Sequence, residues 1–261
     1  MSQGHLRQYY KTSAFYLEGL LRKQANYHTA YVRLVAAYIA RGSQVLDLGA
    51  GTGASSWALA RNFKTVALDL SHLFLSSEAS VSNPALHRVA GDAQLLPFRT
   101  GTFDLVGAFE MIEHVWQVSL LLGEVDRVLK PGGLVVIVSP NMLSPVNSIL
   151  NLIRDARRGA VQLSWSRQAM RNWYATTKKI MADGPIFLTR EVPERDDLHS
   201  DMDACYLASP VDLKKWFLRK DYRVRRYQKG GRTRLGWTVN WLCGSYAPTI
   251  YFVAQKSTTA R

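Results

Sequence analysis

Three groups of residues in this chain have types and spacings suited to chemistry. The first is the run Gln44 to Ala54, Q-V-L-D-L-G-A-G-T-G-A, where Val45, Leu46 and Leu48 make an apolar strand and Gly49, Gly51 and Gly53 follow at alternate positions. A strand emptying into such a turn lets the backbone pass close to a ligand before a helix opens at Thr52, so a nucleotide-like cofactor is expected across it. The spacing does not choose the cofactor, because Gly49, Gly51 and Ala54 also satisfy the dinucleotide pattern G-x-G-x-x-G/A. Asp69 ends a second apolar run, Thr65 to Leu68. There a carboxylate can accept hydrogen bonds from both ribose hydroxyls. The second group is Glu110, Glu113 and His114, at i, i+3 and i+4. On a helix all three point to one side. His114 can then act as a general base, the trio can ligate a hard divalent ion, or Glu113 and His114 can brace the strand-to-helix turn. The third group is His199, Asp201 and Asp203 in H-S-D-M-D-A. It reads as an acceptor-binding cluster with a spare metal ligand, or as a solvated acidic loop.

Further blocks decide between cofactors. Gly91-Asp92-Ala93-Gln94-Leu95-Leu96-Pro97-Phe98, then Phe103-Asp104-Leu105-Val106, then Leu129-Lys130-Pro131-Gly132-Gly133-Leu134 follow in order. Together with the glycine turn they closely resemble the class I S-adenosylmethionine-dependent methyltransferases, in the group that includes quinone-biosynthesis and other small-molecule methyltransferases. The resemblance covers roughly residues 40 to 140. It implies S-adenosyl-L-methionine as cofactor. Gly49, Ala50, Gly51 and Gly53 then carry the methionine portion, and Asp47 orders the turn or meets the amino group through water. Asp69 binds the ribose, with Leu70 beside it on the adenine. Asp92 accepts from the adenine amino group, Ala93 donates from its backbone and Gln94 flanks them, while Phe109 and Glu110 complete the set. The plainer alternative for Asp47 and Asp69 is turn or helix capping. E-x-x-E-H is also similar to the metal-associated motif of quinone O-methyltransferases and of small-RNA terminal 2′-O-methyltransferases, which leaves a divalent metal on Glu110, Glu113 and His114 open.

These groups need a scaffold, and the pattern predicts one. Strands near 44–48, 65–69, 86–90, 103–109 and 133–139 alternate with helices near 52–62, 71–80 and 117–129. Such alternation makes a parallel sheet covered on both faces, with ligands at the carboxyl ends of its strands. The expected fold is α/β, a Rossmann-like, doubly wound, mostly parallel seven-stranded sheet. Residues 1–41 read as one or two helices leading into the first strand, and 42–141 as the cofactor core. By analogy with the family resembled, 142–205 is a helical lid insertion holding the acceptor specificity, and 206–261 supplies a helix near 210–220 and an antiparallel hairpin near 222–228 and 248–256. The segment 232–247, rich in Gly, Trp and Tyr, closes over the same mouth or is a loop packed on the sheet edge. Trp165, Trp173, Tyr174, Trp237 and Trp241 can wall an acceptor pocket or simply pack. Met142 to Ile153, followed by Arg154, Arg157 and Arg158, can be a lid helix, or an amphipathic helix touching membrane although Pro145 interrupts its first turn.

A chain of 261 residues suits one large α/β domain, or a core with an insertion. Its net charge of +13 favours anionic partners: a phosphorylated or carboxylated small-molecule acceptor, nucleic acid or an anionic membrane surface. Solvated basic helix faces are the plain alternative. Cys205 and Cys243 lack metal or redox spacing and read as reduced thiols. No apolar run approaches the about 20 residues of a spanning helix, and the polar start does not look like a signal peptide, so a cytoplasmic protein is expected. The function expected is methyl transfer to a small-molecule acceptor, most naturally on oxygen of a natural-product, sugar or quinone-like substrate. The rivals are a metal-assisted RNA ribose 2′-O-methyltransferase and a non-catalytic cofactor-binding partner subunit.

Overall fold

A computed structural model of the chain describes residues 1–23, 26–77, 83–157, 164–195, 198, 202–231 and 233–258. Helices α1 (Gln3–Thr12), α2 (Ala14–Leu21) and α3 (Thr29–Ala36) precede β1 (Gln44–Leu48), and α4 (Ala54–Leu59) leads to β2 (Lys64–Asp69). Next come α5 (His72–Ser77), β3 (Leu86–Ala90), β4 (Phe103–Phe109), a 3-10 turn at Ile112–His114, α6 (Val118–Val128) and β5 (Leu129–Pro140). Then α7 (Pro145–Arg157), α8 (Ser164–Met181) and α9 (Pro210–Arg219) lead to β6 (Arg223–Tyr227), α10 (Arg234–Cys243), a second 3-10 turn at Gly244–Tyr246 and β7 (Thr249–Gln255).

The strands form one sheet in the order β3-β2-β1-β4-β5-β7-β6. The first five are parallel, and β7 runs antiparallel between β5 and β6, pairing Val253 with Val136 on one side and Arg226 on the other. This is the expected Rossmann-like sheet with its C-terminal hairpin.

Side-chain alternation divides the core into two layers. Leu46, Leu48, Val106 and Ile137 face α6 and α9 through Leu121, Leu122, Val125, Leu213 and Phe217. Val45, Leu105, Val136 and Val253 face Tyr31, Leu34 and Val35 of α3 and Leu59 of α4. In α6 the buried positions 118, 121, 122, 125 and 128 make a single stripe, which is why this segment is a helix laid flat on the sheet.

Four expectations change. The N-terminal segment holds three helices, split where the side chain of Ser13 accepts from the Tyr16 amide and caps α2. Pro145 begins α7 instead of interrupting it, since a proline lacks an N–H that the first helical residue has no use for. The 232–247 segment is neither loop nor edge packing over most of its length: Thr233 accepts from the Gly236 amide and opens α10. Finally, α8 is fastened to α9 by a buried ion pair, Lys179 to Asp212, with the Tyr206 hydroxyl donating to the same carboxylate at 2.9 Å.

Candidate active site

At the carboxyl ends of β1, β2 and β4 lies a cavity of about 1800 Å³. Single-ligand pockets run to about 300–1,000 Å³, so this one has room for a nucleotide-sized cofactor and a second molecule. Gly49, Ala50, Gly51, Gly53, Asp69, Leu70, Asp92, Ala93, Gln94, Phe109, Glu110, Glu113, His114 and Asp203 all line it. The sheet thereby gathers into one wall residues that are far apart in the chain.

The glycine turn is built as its spacing requires. Gly49, Gly51 and Gly53 all have positive φ, at 66°, 56° and 89°, a region that side chains with a Cβ rarely enter. A Cβ on Gly49 would lie 2.2 Å from Met111 Cγ. Asp47 holds this turn from behind and is absent from the cavity wall. Its Oδ1 accepts from the Tyr31 hydroxyl at 2.7 Å, and its Oδ2 from Ser55 and Ser56 at 2.7 and 2.6 Å. Burial raises the Asp47 pKa against these three donors. Asp69 is different: its oxygens accept from the Gly51 and Ser71 amides at 2.8 and 2.9 Å and still face the cavity. A carboxylate offers about four acceptor positions, so ribose hydroxyls can be added to those two bonds. Asp92 receives the Gln94 amide at 2.9 Å on one oxygen and an ion pair from Arg7 of α1 on the other.

Glu110, Glu113 and His114 do not share a face. Glu110 sits at φ 49°, and the turn after it is 3-10, so the helical spacing that would align the trio never forms. Glu110 accepts from the Tyr27 hydroxyl and lies 3.7 Å from the Lys23 ammonium. Glu113 is fully buried; its Oε2 accepts from the Ser139 hydroxyl at 2.9 Å, and its backbone carbonyl receives the amides of Cys205 and Tyr206, both at 2.9 Å. Among the described residues no group of three or more His, Cys, Asp or Glu is arranged to hold a metal ion.

His114 is held by partners from both ends of the chain. Its Nδ1 lies 3.0 Å from Asp203 Oδ2 and 3.0 Å from the Tyr10 hydroxyl, which itself donates to Asp203 at 2.8 Å. A carboxylate only accepts, so it calls for the proton on Nδ1 and leaves the lone pair on Nε2. That nitrogen lies 3.8 Å from Glu113 Oε1, an atom with no hydrogen-bond partner among the described residues. Burial pushes the Glu113 pKa up to about 7, against the opposing charge of His114 and the Ser139 bond. Asp203 is also buried, yet the charge and hydrogen bond of His114 and the Tyr10 hydroxyl hold its pKa below the ordinary carboxylate value. Of the third sequence group, then, Asp203 reaches the cavity, while His199 and Asp201 lie outside the described residues.

The cavity's cover comes from an unexpected place. Leu6, Arg7 and Tyr10 of α1, Tyr16 and Leu20 of α2, and Tyr27 line it, whereas α7 and α8 contribute no residue to its wall. The insertion reaches it through Leu198 and Asp203 alone among the described residues of 142–205. Tyr10 and Tyr16 pack edge-on to each other at 5.4 Å and to His114 at 5.7 and 6.5 Å. Sequence reasoning treated these tyrosines as a helical core stripe. The available signal was their polar tips, at positions where leucine would pack as well. Trp165, Trp173, Tyr174, Trp237 and Trp241 are absent from the wall.

Residues 46–137 match the family model described as a methyltransferase domain. The chain carries a class I S-adenosylmethionine-dependent methyltransferase domain. Over 97 residues the chain is 41% identical to the demethylmenaquinone methyltransferase of Beutenbergia cavernae, covering 37% of this chain and 40% of that protein. It is 36% identical over 130 residues to the malonyl-[acyl-carrier protein] O-methyltransferase of Erwinia billingiae, covering 45% of this chain and 49% of the relative. The chain thus spans only about 40 to 50% of the length of these curated relatives. The crystal structure of an S-adenosylmethionine-dependent methyltransferase from Mesorhizobium loti superposes with a TM-score of 0.55 at 16% identity, covering 92% of this chain and 100% of that one, a likeness of fold. The methyltransferase domain's turn, its Asp69 and its large cavity are compatible with that cofactor.

Proposed function

We propose that this protein transfers a methyl group from S-adenosylmethionine to a hydroxyl of a small, quinol-like acceptor, with His114 as general base. The observation that carries this reading is His114 itself, oriented by Asp203 and Tyr10 in a cavity too large for the cofactor alone. The relatives named for quinone and O-methyl chemistry support the choice of acceptor. Bound cofactor would supply an electrophilic methyl on a sulfonium. Gly49 to Gly53 would hold its methionine portion, Asp69 its ribose, and Asp92 its adenine once Arg7 gives way. The acceptor would lie under α1, α2 and the end of the 142–205 insertion. Nε2 of His114 takes the acceptor's hydroxyl proton, and Glu113, once ionised, stabilises the imidazolium 3.8 Å away. Asp203 keeps the ring in the useful tautomer throughout.

His114→Ala should lower kcat by roughly a hundredfold or more and leave cofactor affinity unchanged. The measurement is transfer from labelled cofactor into hydroquinone acceptors, with calorimetry of S-adenosylhomocysteine binding alongside and mass spectrometry to locate the methyl. Full activity of the variant at saturating acceptor would reduce His114 to a brace of the turn, and a product methylated on carbon would refute the choice of oxygen.

A further inference from the structure

Helix α8 is built inside out. Its buried positions are the polar Asn172, Thr176 and Lys179, at i, i+4 and i+7. Each is satisfied: Asn172 and Thr176 donate to the carbonyls of Ser144 and Leu143 at 3.3 and 3.1 Å, and Lys179 to that of Ile186 at 2.6 Å. The opposite face carries Met170, Tyr174 and Met181, exposed to 69, 66 and 80%, interleaved with Arg167, Arg171 and Lys178 and flanked by exposed Trp173. A helix stabilised only by its own core would place these side chains the other way round.

Two neighbours repeat the pattern. On α7 the exposed stripe is Ile149, Leu150 and Ile153, followed by Arg154 and Arg157. On α10 it is Leu235, Trp237, Trp241 and Leu242 beside Arg234, with the two indoles stacked at 6.0 Å. The three helices meet at Tyr246, in the turn that follows α10: its hydroxyl bonds Thr177 of α8 at 2.9 Å, and its carbonyl receives the Ser144 hydroxyl, just before α7, at 2.7 Å. Neither α8 nor α10 contains a carboxylate, and the single one on α7, Asp155, accepts from the Trp165 indole at 2.8 Å.

We propose that the outer faces of α7, α8 and α10 form a docking surface for an anionic lipid bilayer. Aliphatic side chains, interfacial indoles and a phenol, and cations without matching acids are the combination that lies in the headgroup region of such a surface. A nucleic acid would use the cations but leave Ile149, Leu150, Ile153 and Met181 in water. A second copy of the chain would bury the apolar groups but set Arg167, Arg171 and Lys178 against their own kind in a two-fold contact. The inner side of α10, Gly236 and Asn240, lines the cavity. Resting on the methyltransferase reading, this places a lipid-soluble acceptor one helix away from the site.

The test is flotation of the whole protein with vesicles of one part phosphatidylglycerol to two parts phosphatidylcholine, followed by tryptophan emission. Binding with a blue shift is expected on these vesicles, little on phosphatidylcholine alone, and much less at about 1 M salt, where screening shortens to about 3 Å. The double change Arg167→Gln and Arg171→Gln should weaken binding roughly 25-fold, about fivefold per cation. Trp173→Ser with Tyr174→Ser should abolish the blue shift, and near-ultraviolet dichroism checks that both variants are folded. No binding to the anionic vesicles at low salt, or binding untouched by both pairs of changes, would overturn the proposal. So would sedimentation of a dimer that the apolar pair splits while vesicle binding stays unchanged, or tighter capture by RNA that only the arginine pair weakens. Transfer to a short-chain, water-soluble hydroquinone should be the same in all variants; its absence from the native protein would refute the methyltransferase reading and leave the docking result standing.

Discussion

Two carboxylates of the site carry opposite roles, and their surroundings set them apart. Asp69 is tied to backbone amides and open to the cavity, so it is ready to accept from a ligand. Asp69→Ala should cost about 2 to 5 kcal/mol of cofactor affinity, the loss of two hydrogen bonds to a charged acceptor. Calorimetry with S-adenosylhomocysteine checks it, and unchanged binding would remove Asp69 from the ribose. Glu113 is instead enclosed, and burial lifts its pKa from 4.5 to about 7. Between those values the folded protein holds a proton that the unfolded chain has released, so stability falls as pH rises through the interval and is lowest above 7. The difference corresponds to roughly 3 kcal/mol. In Glu113→Gln that slope should vanish, and thermal melts at pH 5 and pH 8 should differ less than in the native protein. An equal fall in both would mean that Glu113 ionises normally. Rising activity of the native enzyme through pH 7, lost in the same variant, is the matching kinetic expectation.

Elements carry these groups to one place, and glycine decides how closely they can come. Gly107 of β4 lies under the ring of Tyr31 from α3; a Cβ there would fall 2.0 Å from the Tyr31 hydroxyl oxygen. That hydroxyl is one of the three holding Asp47 behind the cofactor turn. Gly107→Ala should therefore force Tyr31 off Asp47 and destabilise the fold by about 1 to 3 kcal/mol, read as a lower denaturant midpoint at constant m-value. An unchanged midpoint would show that α3 yields without cost. The strands were legible because both faces of a central parallel strand are apolar and their ends are punctuated by Gly and Asp, so β1, β3 and β4 fall where the pattern puts them. Glu110, Glu113 and His114 were legible as site residues but not in their directions. A positive φ at a glutamate and a 3-10 turn leave no mark in the spacing. Helix α10 was hidden because Gly236 and its many aromatics mimic a loop, while the tertiary contact of Asn240 with the Gly230 carbonyl, at 2.9 Å, is invisible in sequence.

At the scale of the molecule, the first 30 residues reach across the sheet to the site. Arg7 pairs with Asp92, Tyr10 with His114 and Asp203, Tyr27 with Glu110, and Tyr31 with Asp47. None of this was readable in advance, because each pair joins positions whose separation in the chain carries no periodic signal. The consequence is that ligand binding should be felt at the N-terminus before it is felt in the insertion. Local opening of a cover is suppressed when a ligand fills the space beneath it, and amide exchange reports that opening segment by segment. Added S-adenosylhomocysteine should therefore slow exchange in the glycine turn and α4, and also in α1, α2 and the segment around Tyr27. Helices α7 and α8, which share no wall with the cavity, should exchange at the same rate with and without ligand. Protection of α7 and α8 with none in α1 and α2 would mean that the insertion, and not the N-terminal helices, closes over the bound molecule. The exchange of Arg7 for Ala adds a direction to the same measurement: a half-exposed ion pair contributes at most about 1 kcal/mol, so releasing Asp92 for the adenine should tighten cofactor binding by no more than about fivefold while α1 loses protection in the unliganded protein.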